Sequence, residues 1–426
     1  MINDPSTLPM MVMADPDGEV FEHPYLRMMG ASGRFHRPPT PEEIIEIPYG
    51  ADLHILPGRH PVGVDPETGR TEIVHSFRGK PVFAVSAFLP PAYTSLLWTA
   101  FIKDHDASCL PLYAYTSLGW RDGSFVTTAV RVDPDPRQDL DNYPAGEIEN
   151  ENARRAVRKH PDNRLIKHLA HCCITYRCPA ARNLFLGRYE APLPTSKTCN
   201  ARCVGCISLQ DAECVPSTQD RISFSPTPEE VAEVAVGHLE QVPNGVVSFG
   251  QGCEGEPLTQ GGLLQASIKM IRERTGTGTI NLNTNGSRPD VLRRLFDAGL
   301  DSVRISLNSA RRDLYNSYFR PSGYTFEDVI RSMALGNDMG RFVSINYFVF
   351  PGLTDESAEA DALEKIIEKT GIHMIQWRNL NIDPDLYMDS LDWDGTKDTI
   401  GIKPLMKRIH KRFPKMRFGY FNPALG

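Results

Sequence analysis

Three cysteines within eight residues, Cys199-Asn-Ala-Arg-Cys203-Val-Gly-Cys206, make a C-x3-C-x2-C run that lets one short loop wrap one small inorganic centre. Thiolates are soft ligands and select zinc, copper(I) or iron–sulfur clusters. Structural zinc takes four ligands, and an iron–sulfur cube has four irons to ligate. A three-thiolate loop therefore borrows a fourth ligand from elsewhere or leaves one metal position open for chemistry, and the spacing alone does not choose. Downstream stand Phe249-Gly-Gln-Gly-Cys-Glu254-Gly255-Glu256-Pro257, Asn283-Thr284-Asn285-Gly286 and Ser306-Leu-Asn308-Ser309. Each of these polar stretches alone reads as a turn or a cap. Three in succession, each after an apolar run, are hard to explain as turns.

The elements that must position these groups follow a regular alternation. Ser225-Pro-Thr227-Pro-Glu-Glu230 starts a helix, with Thr227 as N-cap, Pro228 at the first position and Glu230 closing a capping box. Strands are expected at 246–249, 279–283, 303–307, 343–350 and 374–377. Between them come a helix over 261–274, one capped at Ser287-Arg-Pro-Asp290 and stopped at Gly299, one capped at Thr325-Phe-Glu-Asp328, and one opened by Thr354 and ending near Gly371. Strands alternating with helices of this length mean βαβ units and a parallel sheet. With a strand before the cysteine loop there are about six units, fewer than the eight of a closed barrel. The fold class is α/β, a partial (β/α)6 TIM-like barrel, and in such sheets ligands bind at the carboxyl ends of the strands. The thiolate loop and the polar stretches all fall there.

Residues 1–185 read differently. Short apolar runs at 8–14, 81–88 and 124–132 are broken by Asp15-Pro-Asp-Gly18, Asp65-Pro-Glu-Thr-Gly69 and similar turns, which indicates a β-rich (α+β) domain with a helical end over about 147–171. The expected organisation is this domain over 1–185, the barrel over 186–385 and a C-terminal extension over 386–426. The N-terminal domain is expected to pack on the open barrel and cover the substrate.

Composition sets outer limits. The 426 residues are 41% hydrophobic, with 46 Lys+Arg against 53 Asp+Glu for a net charge of -7, which leaves no overall electrostatic footprint for nucleic acid. No stretch approaches 18 consecutive apolar residues, which argues against a membrane span, and the N-terminus lacks the features of a signal peptide. Nine clustered cysteines, an odd number, fit a reducing compartment better than a disulfide framework, so the chain is expected in the cytoplasm.

From about Pro192 to Pro384 the chain resembles the radical S-adenosylmethionine (SAM) superfamily: Cys199, Cys203 and Cys206 match its C-x3-C-x2-C motif, and Glu254-Gly-Glu-Pro257 stands where the family has Gly-Gly-Glu-Pro. The resemblance implies a [4Fe-4S] cluster held by these three thiolates, with SAM chelating the fourth iron through its amino and carboxylate groups. It implies that one electron then breaks a sulfonium S–C bond, giving methionine and a 5′-deoxyadenosyl radical that abstracts hydrogen. By position, Glu256 would accept from the SAM ammonium, and Gly255 and Pro257 would shape the turn. Ser306, with Asn283 or Asn285, would reach the ribose hydroxyls or the carboxylate, and Asn346 would lie near adenine or ribose. Arg304 and Arg378 would meet the SAM carboxylate or the substrate, or else form structural salt bridges. Two positions depart from the family: Gly205 replaces the usual aromatic residue before the third cysteine, and Glu254 replaces a glycine.

The remaining cysteines raise a second question. Cys172 or Cys173, Cys178 and Cys214 are candidates for an auxiliary iron–sulfur cluster, with a zinc site or small buried thiols as alternatives. Cys253 is expected near SAM as a relay or substrate contact, or buried. The carboxylates Asp383, Asp385, Asp389, Asp392 and Asp394 read as a solvated loop or as a substrate contact at the barrel mouth, and the loop Arg320–Tyr324 as a mouth loop. The implied substrate is a small molecule or cofactor precursor first, a peptide or protein second and RNA third. The implied electron donor is a flavodoxin or ferredoxin. From a different class, the same cysteines would serve a non-catalytic electron-transfer or structural metal site, which has no need of Glu256 or the strand-end polar groups.

Overall fold

A computed structural model describes residues 4–136, 139–144, 147–210 and 215–425. Two sheets dominate. Residues 10–131 build a fourteen-stranded antiparallel sheet around strands such as Met10–Ala14, Val20–Met28, Phe83–Phe88, Thr116–Arg121 and Ser124–Arg131. The turns work as their residues dictate: Asp15 Oδ1 accepts from the amides of Asp17 and Glu19, and Gly18 takes the positive φ that closes the loop. The helical end splits into three helices, Ile148–Lys159, Arg164–Ile174 and Pro179–Leu186.

The second sheet is parallel, and its seven strands lie in sequence order: Glu190–Pro192, Val246–Phe249, Thr279–Thr284, Ser302–Leu307, Phe342–Val349, Met374–Asn379 and Arg417–Gly419. It curls into a partial barrel flanked by helices. Six of the strands answer to the six expected units, and the last comes from the segment after residue 386. That segment also adds the helix Ile402–Arg412, whose Arg408 and Arg412 pair with the buried Glu364. The capping box of Thr227 with Glu230 forms as expected, and the cap expected at Thr325 proves to be a second capping box, with Asp328. Two caps differ. The helix Pro289–Ala298 has Arg288 at its N-cap, and the helix Ser357–Thr370 begins after Glu356. Thr354 instead closes the preceding turn, its Oγ1 accepting from the amide of Phe350 at 2.8 Å.

The two sheets meet along a polar seam at the sixth barrel strand. Thr94 Oγ1 donates to the Trp377 carbonyl at 2.6 Å, and the Ser95 amide donates to Asn379 Oδ1 at 2.8 Å. Below them Arg59 pairs with Asp383 at 2.8 Å, both side chains 1% exposed. Asp383 also accepts from the amides of Leu110, Asp385 and Leu386, so it caps the helix Pro384–Ser390. Neither a solvated loop nor a substrate contact describes Asp383: an uncompensated carboxylate here would be costly, and the chain surrounds it with donors.

Candidate functional site

The cysteine loop leaves the first barrel strand and is pinned from across the mouth. The helix Arg312–Phe319 ends there with carbonyls that no further turn satisfies. Arg202 N donates to Phe319 O at 3.0 Å and Val204 N to Tyr318 O at 3.0 Å, while Ser322 N donates to Asn200 O at 2.9 Å. The loop Arg320–Tyr324 thus acts on the cysteine loop rather than standing free.

One cavity of about 410 Å³ gathers Cys199, Cys203 and Cys206 with Gly255, Glu256, Pro257, Asn283, Asn285, Ser306 and Asn346. Strand register explains the grouping: Asn283 lies beside Arg304, and Ser306 beside Asn346. Arg304 and Arg378 line the same cavity. All the lining residues lie between Cys199 and Tyr420, so among the described residues the N-terminal sheet forms none of the wall. Among those residues it reaches the cavity only through the side chain of Asn379, a lining residue that accepts from Ser95 N and donates to the Tyr93 carbonyl.

Two carboxylates in the turn after the second strand have different surroundings. Glu254 accepts five hydrogen bonds, from Thr195 N, Thr195 Oγ1 and Ser196 N on one oxygen and from Gly250 N and Gln251 N on the other. It replaces the family glycine as a buried strap between the first two strand ends. Glu256 accepts from Leu258 N at 2.9 Å, Asn285 N at 2.8 Å and the Thr284 hydroxyl. Burial outweighs these donors and pushes its carboxyl up to about 7. Between the two, Gly255 is required, because a Cβ there would lie 2.1 Å from the Thr198 carbonyl.

Asn285 is largely occupied by the loop, donating from Nδ2 to Asn200 Oδ1 and accepting from Ser287 N. Asn283 Oδ1 accepts from Asn281 and Asn422 in a ladder of buried polar groups. By contrast, the buried Asn346 Oδ1 has no partner, nor has Arg304 Nε. Arg304 donates to Gln376 Oε1 at 2.9 Å, and Arg378 donates to the Tyr420 carbonyl and lies over its ring. Among the described residues neither arginine has an ion-pair partner, so neither forms the structural salt bridge that was the alternative. Burial, then the neighbouring Arg378, pull the Arg304 guanidinium down to about 9.

The missing aromatic at Gly205 is replaced from another element. A Cβ at position 205 would lie 2.8 Å from Tyr318 Oη, and Tyr318, Phe319 and Phe348 form an aromatic wall of the cavity. Sequence reasoning missed this wall, since nothing local links residue 318 to residue 205. It also missed Arg221, which donates to Cys206 Sγ at 3.4 Å and to Ser208 Oγ at 3.2 Å.

The three thiols fit a cationic, thiolate-ligated centre. Desolvation, then the charge of Glu256, push Cys199 up to about 11, and desolvation and the other two thiols hold Cys203 well above the ordinary thiol value. Three thiolates in this pocket therefore call for a compensating cation. Among the described residues the cavity contains no histidine and no fourth cysteine to close the set.

The other cysteines separate. Cys172 lies with Cys253 and His168, and the Cys253 thiol and His168 pull Cys172 down to about 5. Cys173 Sγ turns instead to Asn150 Oδ1 at 3.9 Å. Cys178 is half-buried, its amide donating to the Cys172 carbonyl, and Cys214 lies outside the described residues. Cys253 takes no part in lining the cavity, so it is not the cavity contact expected of it.

The curled parallel sheet, with a three-thiol loop and polar groups at its strand ends, is a partial (β/α) barrel with its cavity at the carboxyl ends of the strands. Residues 193–363 match the family model of the Radical SAM superfamily, so this part of the chain is a radical SAM domain. It is 25% identical over 177 residues to the FeMo cofactor biosynthesis protein NifB of Klebsiella pneumoniae, covering 38% of this chain and 37% of that one. It is 27% identical over 183 residues to a GTP 3′,8-cyclase of Streptomyces coelicolor, covering 40% and 48%. The chain spans about half the length of the curated relatives it matches. A radical SAM methyltransferase from Sphaerobacter thermophilus superposes with a TM-score of 0.36 at 16% identity, over 48% of this chain and 63% of that one. Among the described residues no helix is long and apolar enough to cross a membrane.

Proposed function

We propose that the mouth cavity binds a [4Fe-4S] cluster through Cys199, Cys203 and Cys206, together with SAM, and that the enzyme acts on a small anionic molecule or cofactor precursor. A cluster bound there would supply the electron that cleaves SAM to methionine and a 5′-deoxyadenosyl radical, which takes hydrogen from the substrate. The observation that carries this reading is one cavity holding three thiols with, among the described residues, no closing ligand, and buried polar atoms without protein partners at Asn346 and Arg304. Such atoms are rare in folded proteins and are usually met by a ligand or water.

The chain's own groups would divide the work. Glu256, fixed by three donors, keeps acceptor capacity for an ammonium. Ser306, Asn283, Asn285 and Asn346 offer hydrogen bonds at adjacent strand ends. The wall of Tyr318, Phe319 and Phe348 excludes water and gives a flat apolar face. Arg221 neutralises charge at Cys206. Arg304 and Arg378 are paired cations suited to carboxylate or phosphate, and the GTP named for one relative is such an anion. The reading carries with it a reducing, cytoplasmic setting and an electron donor such as flavodoxin or ferredoxin. It also carries a division into a bracing region over 1–185, a catalytic barrel over 186–385 and a closing segment over 386–426. A second iron–sulfur cluster drawn from Cys172, Cys173 and Cys178 has weaker support, since Cys173 faces away.

The test is anaerobic reconstitution with iron and sulfide, dithionite reduction with SAM, and assay of 5′-deoxyadenosine. The wild type should form it and the Cys199→Ala/Cys203→Ala/Cys206→Ala variant should form none. Cluster-loaded wild type that neither binds SAM nor forms deoxyadenosine would leave an electron-transfer or structural centre in its place.

A further inference from the structure

The turn that carries Glu256 has a second face. Cys253, 6% exposed, packs away from the cavity onto the helix Arg164–Ile174, where it meets Cys172, 2% exposed, and His168. His168 and Cys172 are four residues apart on that helix, so their side chains share one face and stand one above the other. His168 Nε2 lies 3.6 Å from Cys172 Sγ, and its ring is held edge-on by Phe224. The ligand atoms of His168, Cys172 and Cys253 all lie within 4.8 Å of one another, and this is the only such trio of His, Cys, Asp or Glu among the described residues.

That spacing discriminates between centres. Around one tetrahedral zinc, with Zn–S of about 2.3 Å and Zn–N of about 2.0–2.1 Å, ligand atoms stand roughly 3.5–3.8 Å apart. A cube instead holds each thiolate on a different iron, which spreads the sulfurs further. The thiols of Cys199, Cys203 and Cys206 are not drawn together within that limit, as suits a cube, while the outer trio is drawn to a single point. Two thiols and an imidazole are also the ligand types zinc takes.

We propose that His168, Cys172 and Cys253 form a mononuclear soft-metal site, zinc by its ligand set, that staples the helix before the barrel to the turn carrying Glu256. The fourth position falls to water or to Cys178, whose amide hydrogen-bonds to the Cys172 carbonyl at 3.1 Å. The metal would stand on the far side of the turn from the cavity and act on SAM only by holding Glu254–Pro257 in place. The site does not depend on the function proposed above.

Metal analysis of the full chain, purified in chelator-free buffer, tests this. About one zinc per chain is expected, and it should remain in Cys199→Ala/Cys203→Ala/Cys206→Ala, which removes the other thiolate loop. Adding Cys172→Ser or Cys253→Ser to that variant should remove the zinc. His168→Gln changes a half-buried residue and should keep the fold while weakening zinc by at least about tenfold in competition with a chromophoric chelator. Cobalt added to the metal-free triple variant should give a thiolate-to-cobalt charge-transfer band that Cys253→Ser abolishes. Three results would overturn the site. One is a triple variant with neither zinc nor a cobalt band. Another is iron and sulfide retained by the triple variant and lost with Cys253→Ser, which makes the trio part of a second cluster. The third is a peptide map joining Cys172 to Cys253 by a disulfide in the isolated chain.

Discussion

The seam between the two sheets and the mouth of the barrel are both built from buried polar groups, but they complete their hydrogen bonds differently. At the seam the groups answer one another across the interface. Asp383 accepts from Arg59, Leu110 and its own helix, and Asn379 accepts from Ser95 and donates to Tyr93, while Arg59 Nε, Trp377 Nε1 and Asp385 Oδ2 stay unmatched outside the cavity. At the mouth Asn346 Oδ1 and Arg304 Nε are unmatched, and among the described residues the two neighbouring arginines have no ion-pair partner, Glu190 acting on Arg304 only through its charge. Completed polar groups hold a structure together, whereas incomplete ones in a cavity wait for something to complete them. Seam substitutions should therefore change stability with little effect on binding, and mouth substitutions should do the reverse.

The largest expected effect lies at the seam. Arg59→Ala leaves Asp383 charged and buried, and losing one partner of a buried pair costs about 3–5 kcal/mol. Urea denaturation should show that loss, while SAM affinity per folded chain stays near the wild-type value. A large fall in SAM affinity at unchanged stability would erase the distinction between seam and mouth. Glu254→Ala is next. It strips the acceptor from five donors, three of them in Thr195 and Ser196, for a loss of about 2–4 kcal/mol. Because Glu254 sits two residues from Glu256, this variant should also weaken SAM, which places it between the two regions.

At the mouth the sign of the stability change should invert. Arg304→Met removes a desolvated cation that faces Arg378, so the ligand-free chain should melt no lower than wild type, and higher if the apolar stem packs well. The same change removes a charge-assisted donor worth about 1.5–3 kcal/mol to a bound anion, or roughly 10- to 100-fold in its dissociation constant. Calorimetry with SAM, and separately with the substrate once known, would show which of the two the arginines serve. A destabilised Arg304→Met chain with unaltered binding would move Arg304 to the structural side.

What could be read in advance follows the same division. The thiolate loop, the caps at Thr227 and Thr325 and the strand-end polar residues are local signals, fixed by the spacing of a few neighbours, and the sequence displays them directly. Asp383 was misread because its charge was visible and Arg59, more than three hundred residues earlier, was not. Tyr318 was missed because its role at Gly205 exists only once the helix Arg312–Phe319 has packed across the loop. Thr354 looked like an N-cap by type, but its hydroxyl found the amide of Phe350 first. The trio at Cys253 needed a helix face and a turn brought together from opposite sides of the cysteine loop. Its spacing along the chain carries no motif.

The smallest effect is also the sharpest, because it runs in opposite directions in the two states. Burial raises the Glu256 carboxyl from 4.5 to about 7. A carboxyl with a higher pKa folded than unfolded binds its proton more tightly when folded. It therefore contributes stability that is fully present below 4.5 and is lost as pH rises through about 7. Other buried carboxyls, Glu254, Asp355 and Glu359, are also raised, so the readout must be a difference. Between pH 5 and 8 the melting temperature of ligand-free wild type should fall relative to Glu256→Gln, whose side chain does not titrate. SAM binding should go the other way. An ammonium needs the ionised carboxylate, which is about one-tenth populated one pH unit below its pKa and nine-tenths populated one unit above. Affinity should therefore rise about tenfold from pH 6 to 8 and level off beyond, and Glu256→Gln should flatten the rise. If the affinity profile of Glu256→Gln parallels wild type, Glu256 belongs with Glu254 as a strap, and the ammonium contact passes to another group in the cavity.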